Sequence, residues 1–447
     1  MQNNIGYFGR LSLSYDDRYY LTASYRRDGS SVFGADRKWG NFYAFGGAWR
    51  ITNEPFINNE GILNDLKLKL SWGRNGNQGL SRYSTLSKVS NGKSGGIFYV
   101  FDNAKQASYG INQSSIGNTE LGWEKTEAWN TGFESAWFDN RLFVDVDMYL
   151  SKTFDQIFNR KIPVMTGFGN IYSSMGEVRN KGLELSIRSV NISTSDFQWT
   201  TKLVGWLNRD KLTRLYGEDL DNDGVEDSDE AQGLFIGESI NSIFGYKQDG
   251  IVQTSDTDYM KANGVKAGTP KYVDINGDGK ITADDRTIIG NTYPGFKLNL
   301  FNTLRFKNWE LYAMIAGVFG VGGYYQASNS GYYIIGGGQF GANGVYIPYW
   351  TEDNPSNEFP AATFISDGRF VGLQSRTFVR LQDLTLSYSF NQPWVKNAGI
   401  NNLKLFLTGK NLLTLTKWVG EPETGNTAES GSYPIMSSLS FGINLSF

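Results

Sequence analysis

Apolar and polar residues alternate with period two along about thirteen stretches of this chain, each long enough to be a strand. The last is the clearest. Leu439, Phe441, Ile443, Leu445 and Phe447 share one parity, and Ser438, Ser440, Gly442, Asn444 and Ser446 share the other. Successive strand side chains point to opposite faces, so each stretch becomes a ribbon with one apolar and one polar side. Leu66, Leu68, Leu70 and Trp72 oppose Lys67 and Lys69. Leu142, Val144, Val146, Met148 and Leu150 oppose Asp145 and Asp147. Leu298 and Leu300 oppose Lys297 and Asn299.

The connections sort into two classes that take turns along the chain. Short ones are Asp16 to Arg18, Asp139 to Arg141, Ser193 to Asp196 and Lys307-Asn308, with medium ones at Asn53 to Asn64 and Gln392 to Asn401. Long ones cover residues 30–38, 73–120, 155–178, 215–294, 321–376 and 417–432. A soluble sandwich alternates too. Strands approaching about 9–11 residues, charged within their polar face and joined by alternating short and long connections, predict an outer-membrane barrel.

Parity also gives a direction. With the short turns on the periplasmic side, the last strand and the first, from about Ile5 to Tyr15, both run inward, so the count is odd. Single-chain bacterial barrels have even counts. Met1 to Ile5 shows no basic segment followed by an apolar one and so does not itself read as a secretory signal. The expectation is an incomplete single domain over 1–447, the C-terminal part of a longer barrel. Such a piece leaves two strand edges unpaired. It is expected either as an open sheet or in dependence on strands outside it.

Composition narrows the classes. There is no histidine and no cysteine, which removes Ser-His-Asp and Cys-His catalysis, the commonest transition-metal ligand and any disulfide framework. A net charge of −3 gives no support for nucleic-acid binding. Mean hydropathy is −0.39, and no run approaches the roughly 20 apolar residues of a spanning helix. The 66 aromatic residues (25 Tyr, 29 Phe and 12 Trp) suit interfacial girdles.

Several segments resemble one family. YFGRLSLSYDDRYYLTASYRRDGSSVF, between Gly6 and Phe33, is similar to a barrel segment of SusC/RagA-type TonB-dependent receptors. So is MGEVRNKGLELSI (Met175 to Ile187) after the loop TGFGNIYSS. DINGDGKITADDRTIIGN (Asp274 to Asn291) resembles the acidic loop that these receptors place before a strand. VRLQDLTLSYSF and LKLFLTGKNLLTLTKWVG resemble their closing strands. The resemblance implies a barrel of about 22 strands with a plug, of which the plug and roughly nine strands are absent here. It implies import of glycans or peptides at the outer membrane with a SusD-like surface lipoprotein as lid and coupling to the TonB complex through the plug; an enzyme is disfavoured by the absent His and Cys. It also makes Phe441, Ile443, Leu445 and Phe447 the recognition signal for the barrel-assembly machinery. The alternative from another class is a soluble or surface calcium-binding, β-rich adhesin or carbohydrate-binding protein.

Two loops have calcium-loop spacing. Asp274, Asn276 and Asp278 stand at positions 1, 3 and 5, Gly279 at 6, the carbonyl of Lys280 at 7 and Asp285 at 12. An Asx-rich turn that caps its own backbone has the same composition. Asp219 to Glu230 fits more loosely, with a solvated acidic loop as the plainer reading. Tyr332, Tyr333, Tyr346, Tyr349 and Trp350 are candidate partner or ligand contacts, or residues that pack the loops together. The Gly-rich run from Gly317 to Gly344 lacks phosphate-loop spacing. Asp145 and Asp147 share one face and are lumen-lining charges rather than a glycosidase pair.

Overall fold

The structure is a computed structural model and describes residues 2–57, 61–91, 98–99, 108–320, 325–326, 348–364, 368–369, 372–418, 421–424 and 435–447. Thirteen strands form one sheet in chain order. They are β1 (Asn4–Tyr15), β2 (Tyr19–Ser30), β3 (Trp39–Arg50), β4 (Leu63–Asn77), β5 (Glu124–Trp137), β6 (Leu142–Lys161) and β7 (Asn170–Ser193). They continue with β8 (Phe197–Arg214), β9 (Phe296–Phe306), β10 (Trp309–Phe319), β11 (Phe378–Phe390), β12 (Asn402–Thr416) and β13 (Ser438–Ser446). The recorded registers are antiparallel, from Leu13 opposite Leu21 to Leu407 opposite Phe441. The class is all-β, as the alternation predicts. Among the described residues no helix is long and apolar enough to cross a membrane.

The tight turns have the residues that their backbone needs. Asp16 and Asp17 have φ of 52° and 51°, and Asp139 and Asn140 have 56° and 60°. Asp and Asn tolerate this left-handed region because their short polar side chains bond locally.

The chain divides into two compact units, Met1–Leu183 with Arg209–Ile240, and Glu184–Asn208 with Asn241–Phe447. In the first, buried apolar residues gather near the long-loop ends of the strands. Val32, Phe33, Phe42 and Trp123 make one cluster, and Val178, Leu212 and Leu215 another. The alternating apolar face stays open to its surroundings at many positions: Leu11 is 58% exposed, Leu70 54% and Leu150 62%. Water would penalise such a face by roughly 25 cal/mol per Å², whereas hydrocarbon would not. The opposite face carries ion pairs within the strands. Lys69 Nζ lies 3.1 Å from Glu134 and 3.0 Å from Asp147.

In the second unit the apolar face pairs Leu203 with Leu300, Leu311 with Leu386 and Leu407 with Phe441. Its polar face sets Glu310 3.0 Å from Lys404 and 2.5 Å from Arg305. Thr201 and Asn302 have apolar-face parity, yet they satisfy one another. Thr201 donates to Asn302 at 2.8 Å, Trp199 Nε1 donates to Asn302 at 3.0 Å, and Asn191 donates to Thr201 at 2.7 Å. Two donors thus share the Asn302 carbonyl, and the Thr201 hydroxyl both donates and accepts, which spares those donors the cost of standing unmet in lipid.

One boundary differs from the alternation reading. The expected long loop 155–178 is a connection of eight residues, 162–169, because β6 and β7 run well past their apolar stretches. The face that holds Leu150 continues through Lys152 and Phe154, and Asp155 is kinked at φ 55°. Apolar alternation stops where lipid stops, but backbone pairing does not.

Candidate functional site in the long loops

The segment between β8 and β9 builds its own small structure. Ser242–Tyr246 pairs with Arg286–Asn291, and Gln248–Ile251 with Pro270–Tyr272. A short helix, α1 (Thr257–Asn263), ends at Gly264, whose φ of 65° suits glycine. Asp256 precedes the helix and pairs with Lys271 at 3.0 Å. A cavity of about 490 Å³ opens beside α1, bounded by Tyr259, Lys266, Tyr272, Ile281, Phe364 and Arg369 among others. The Arg369 guanidinium lies 5.5 Å from the Tyr246 ring centre. Aromatic walls with cationic and amide groups suit recognition of a polar ligand. Alternation does not single out these residues, since only folding of the segment brings 259–281 beside Ala361, Thr363, Phe364 and Arg369.

The acidic loop Asp274 to Asp285 closes on itself. Asp274 accepts from the N–H groups of Gly277 and Gly279, both at 2.7 Å. Asn276 accepts from Asp278 N–H at 3.0 Å, and Asp278 from Lys280 N–H at 2.8 Å. Asp285, fully buried, accepts from Thr282 N–H at 2.7 Å and Ile275 N–H at 2.8 Å. The Thr282 and Ile275 amides hold its carboxyl below the usual carboxylate range despite burial, with the Thr282 bond the largest cause. Every side-chain ligand in the calcium-like set is thus engaged with loop amides.

The second acidic loop brings carboxylate oxygens of Asp219, Asp221 and Asp227 within 4.8 Å of one another. Glu230, at the expected twelfth position, belongs to a short 3-10 turn instead. Asp219 accepts from Asp223 and Gly224 N–H, and Asp227 from Leu220 N–H. Nearby, burial and Asp229 push the Tyr216 hydroxyl up to about 12. That hydroxyl donates to Asp229 at 3.1 Å.

The candidate aromatics separate. Trp350 is 8% exposed, and its Nε1 donates to Gln253 at 2.9 Å, so it packs the loop. Tyr349 is 43% exposed. Tyr332, Tyr333 and Tyr346, with most of the Gly317 to Gly344 run, lie outside the described residues. Phe441, Ile443 and Leu445 line the exposed apolar face of β13, and Phe447 follows it.

A strand sheet with one exposed apolar face, a charged opposite face and structured long loops defines a membrane-barrel protein. Residues 2–412 match the family described as TonB dependent receptor-like, beta-barrel, and the chain belongs to that family of outer-membrane receptors, which are not enzymes. TonB-dependent receptor P3 of Formosa agariphila is 30% identical over 99% of this chain and 45% of its own length. TonB-dependent receptor SusC of Bacteroides thetaiotaomicron is 28% identical over 99% of this chain and 44% of its own. Among solved structures, the RagAB peptide transporter superposes with a TM-score of 0.78 at 28% identity, covering 100% of this chain and 48% of the matched chain. The chain therefore spans under half the length of these relatives.

Proposed function

We propose that this chain supplies wall and external loops to an outer-membrane nutrient importer that takes up glycans or peptides together with a SusD-like lipoprotein. The observation that carries the reading is the pairing of two unlike faces on one sheet. Leu11, Leu70 and Leu150 are exposed on one side, and Lys69, Glu134 and Asp147 are ion-paired on the other. One face suits lipid and the other a watery interior. The likeness to the RagAB peptide transporter supports a peptide substrate, while the glycan class and the lipoprotein rest on the SusC/RagA-type resemblance of the sequence. Energy coupling through TonB and a plug belongs to the same reading, as does assembly through Phe441, Ile443, Leu445 and Phe447.

Within that importer, the cavity beside α1 is assigned to nutrient contact. The loop Asp274 to Asp285 is assigned to self-capping, which the loop amides accepted by its side-chain oxygens support. The test is growth and uptake. Deleting the gene for the full-length receptor should abolish uptake of one glycan or peptide class, and the receptor should co-purify with a surface lipoprotein. Unchanged uptake across both classes would reject the reading.

A further inference from the structure

We propose that β1 to β5 carry, on their apolar face, a slot for the acyl chain of an anionic lipid of the outer leaflet. Two neighbouring rows of the register build it. One row runs Leu11, Ala23, Phe45, Trp72 and Trp129 across the five strands, and the next runs Leu13, Leu21, Gly47 and Leu70. Each row places its smallest side chain between large ones, so Ala23 and Gly47 form a floor below a rim of leucine and aromatic rings. The hollow measures about 540 Å³. A smooth lipid-facing wall needs no such depression, whereas a hydrocarbon chain fills one with dispersion contacts along its length.

The residues above the slot, toward the long loops, say which lipid. Trp72 stacks with Phe45 at 6.2 Å and with Tyr43 at 6.2 Å, as a girdle at the top of the hollow. Two alternations beyond Ala23 on the same face stands Arg27, about 13 Å farther along the strand. Its guanidinium lies 5.1 Å from the Trp39 ring centre, and Trp39 in turn stacks with Tyr7. Among the described residues no carboxylate pairs with Arg27, whereas Arg74 on the same face is taken up by Glu127. A fixed guanidinium above the girdle is complementary to a phosphate at headgroup depth.

The test uses the full-length receptor extracted from outer membranes in neutral detergent, with bound lipid counted by native mass spectrometry. The probes are phosphorylated lipid A and, as a neutral comparison, phosphatidylethanolamine. Filling the floor with Gly47→Leu or Ala23→Leu should cut retained lipid A about tenfold. Arg27→Gln should erase the preference for lipid A while acyl retention persists. Ala313→Leu, on the apolar face of β10, should change neither. Gly47→Ala guards against misfolding, because its Cβ would meet Leu21 at 3.6 Å, an ordinary contact; it should give an intermediate loss. Equal lipid retention in all variants would overturn the proposal. So would a change confined to oligomeric state, which would make the hollow a seat for a second copy.

Discussion

Lys69 and Asp147 meet at 3.0 Å across an intervening strand, and the residue beneath their bridge is Gly132. The register sets Lys69 opposite Gly132 and Gly132 opposite Asp147, so the absence of a side chain lets the ammonium reach over β5. A Cβ at Gly132 would collide with the Asp147 carboxylate and the Val146 carbonyl. Gly132→Ala should therefore lower the unfolding free energy of the receptor by about 1–3 kcal/mol, as overpacking does. An Asp147→Ala background should recover part of that loss in a double-mutant cycle. Full additivity would mean that the glycine does not serve the ion pair.

The apolar face gives the opposite sensitivity. Met148→Arg places a charge midway along β6, beside Asp147 in sequence but on the other side of the sheet. It should cost about 2–4 kcal/mol near the bilayer midplane. The yield of heat-modifiable barrel in outer membranes should fall. Asp147→Arg, one residue away, should leave assembly closer to normal.

Asp285 ties both ends of its loop together, and its lowered pKa fixes the sign of its pH dependence. A depressed carboxylate stabilises the fold above its unfolded pKa, about 3.9, and the contribution is lost as pH falls through the folded value. Hydrogen-exchange protection of the Ile275 and Thr282 amides should hold from pH 7 to about 4 and then decline progressively as pH falls through the depressed folded value. Asp285→Ala should remove it at every pH. Added calcium should leave that protection unchanged, and a calcium-dependent rise would return the loop to the metal reading.

Arg380 is 2% exposed and bonded to Glu421, to Glu423 at 2.5 Å and to Thr414 at 2.9 Å. It clamps the segment after β12 against β11. Removing one partner of a buried pair leaves the other uncompensated, so Arg380→Gln should cost about 3–5 kcal/mol. It should also open residues 421–424 to protease in the folded receptor. Unchanged proteolysis would show that the clamp does not hold this segment.

Much of this fold is legible as alternation. Parity placed Lys69 opposite Leu70 and Asp147 opposite Met148, and Asp16-Asp17 and Asp139-Asn140 announced their turns. The extension of β6 and β7 was not legible, because Lys152 interrupts the apolar face and the positive φ of Asp155 breaks the alternation after Phe154. Nor was the cavity beside α1, since Tyr259 and Arg369 are joined only by packing inside the loops. Trp350 shows the limit for aromatics: sequence alone does not distinguish a ring that binds from one that packs.

A sheet that crosses the outer membrane with one face in lipid can be measured directly by cysteine labelling, since these 447 residues contain no cysteine and any cysteine elsewhere in the receptor can be replaced by serine. Single cysteines at successive positions from Lys297 to Thr303, in the full-length receptor on cells, would carry spin labels reporting lipid or water. The labels should alternate with period two, with Leu298 and Leu300 in lipid and Lys297 and Asn299 in water. Tyr349→Cys should be labelled from outside on intact cells, and Asn140→Cys only after permeabilisation. Uniform water exposure along β9, or labelling of Asn140→Cys on intact cells, would contradict it.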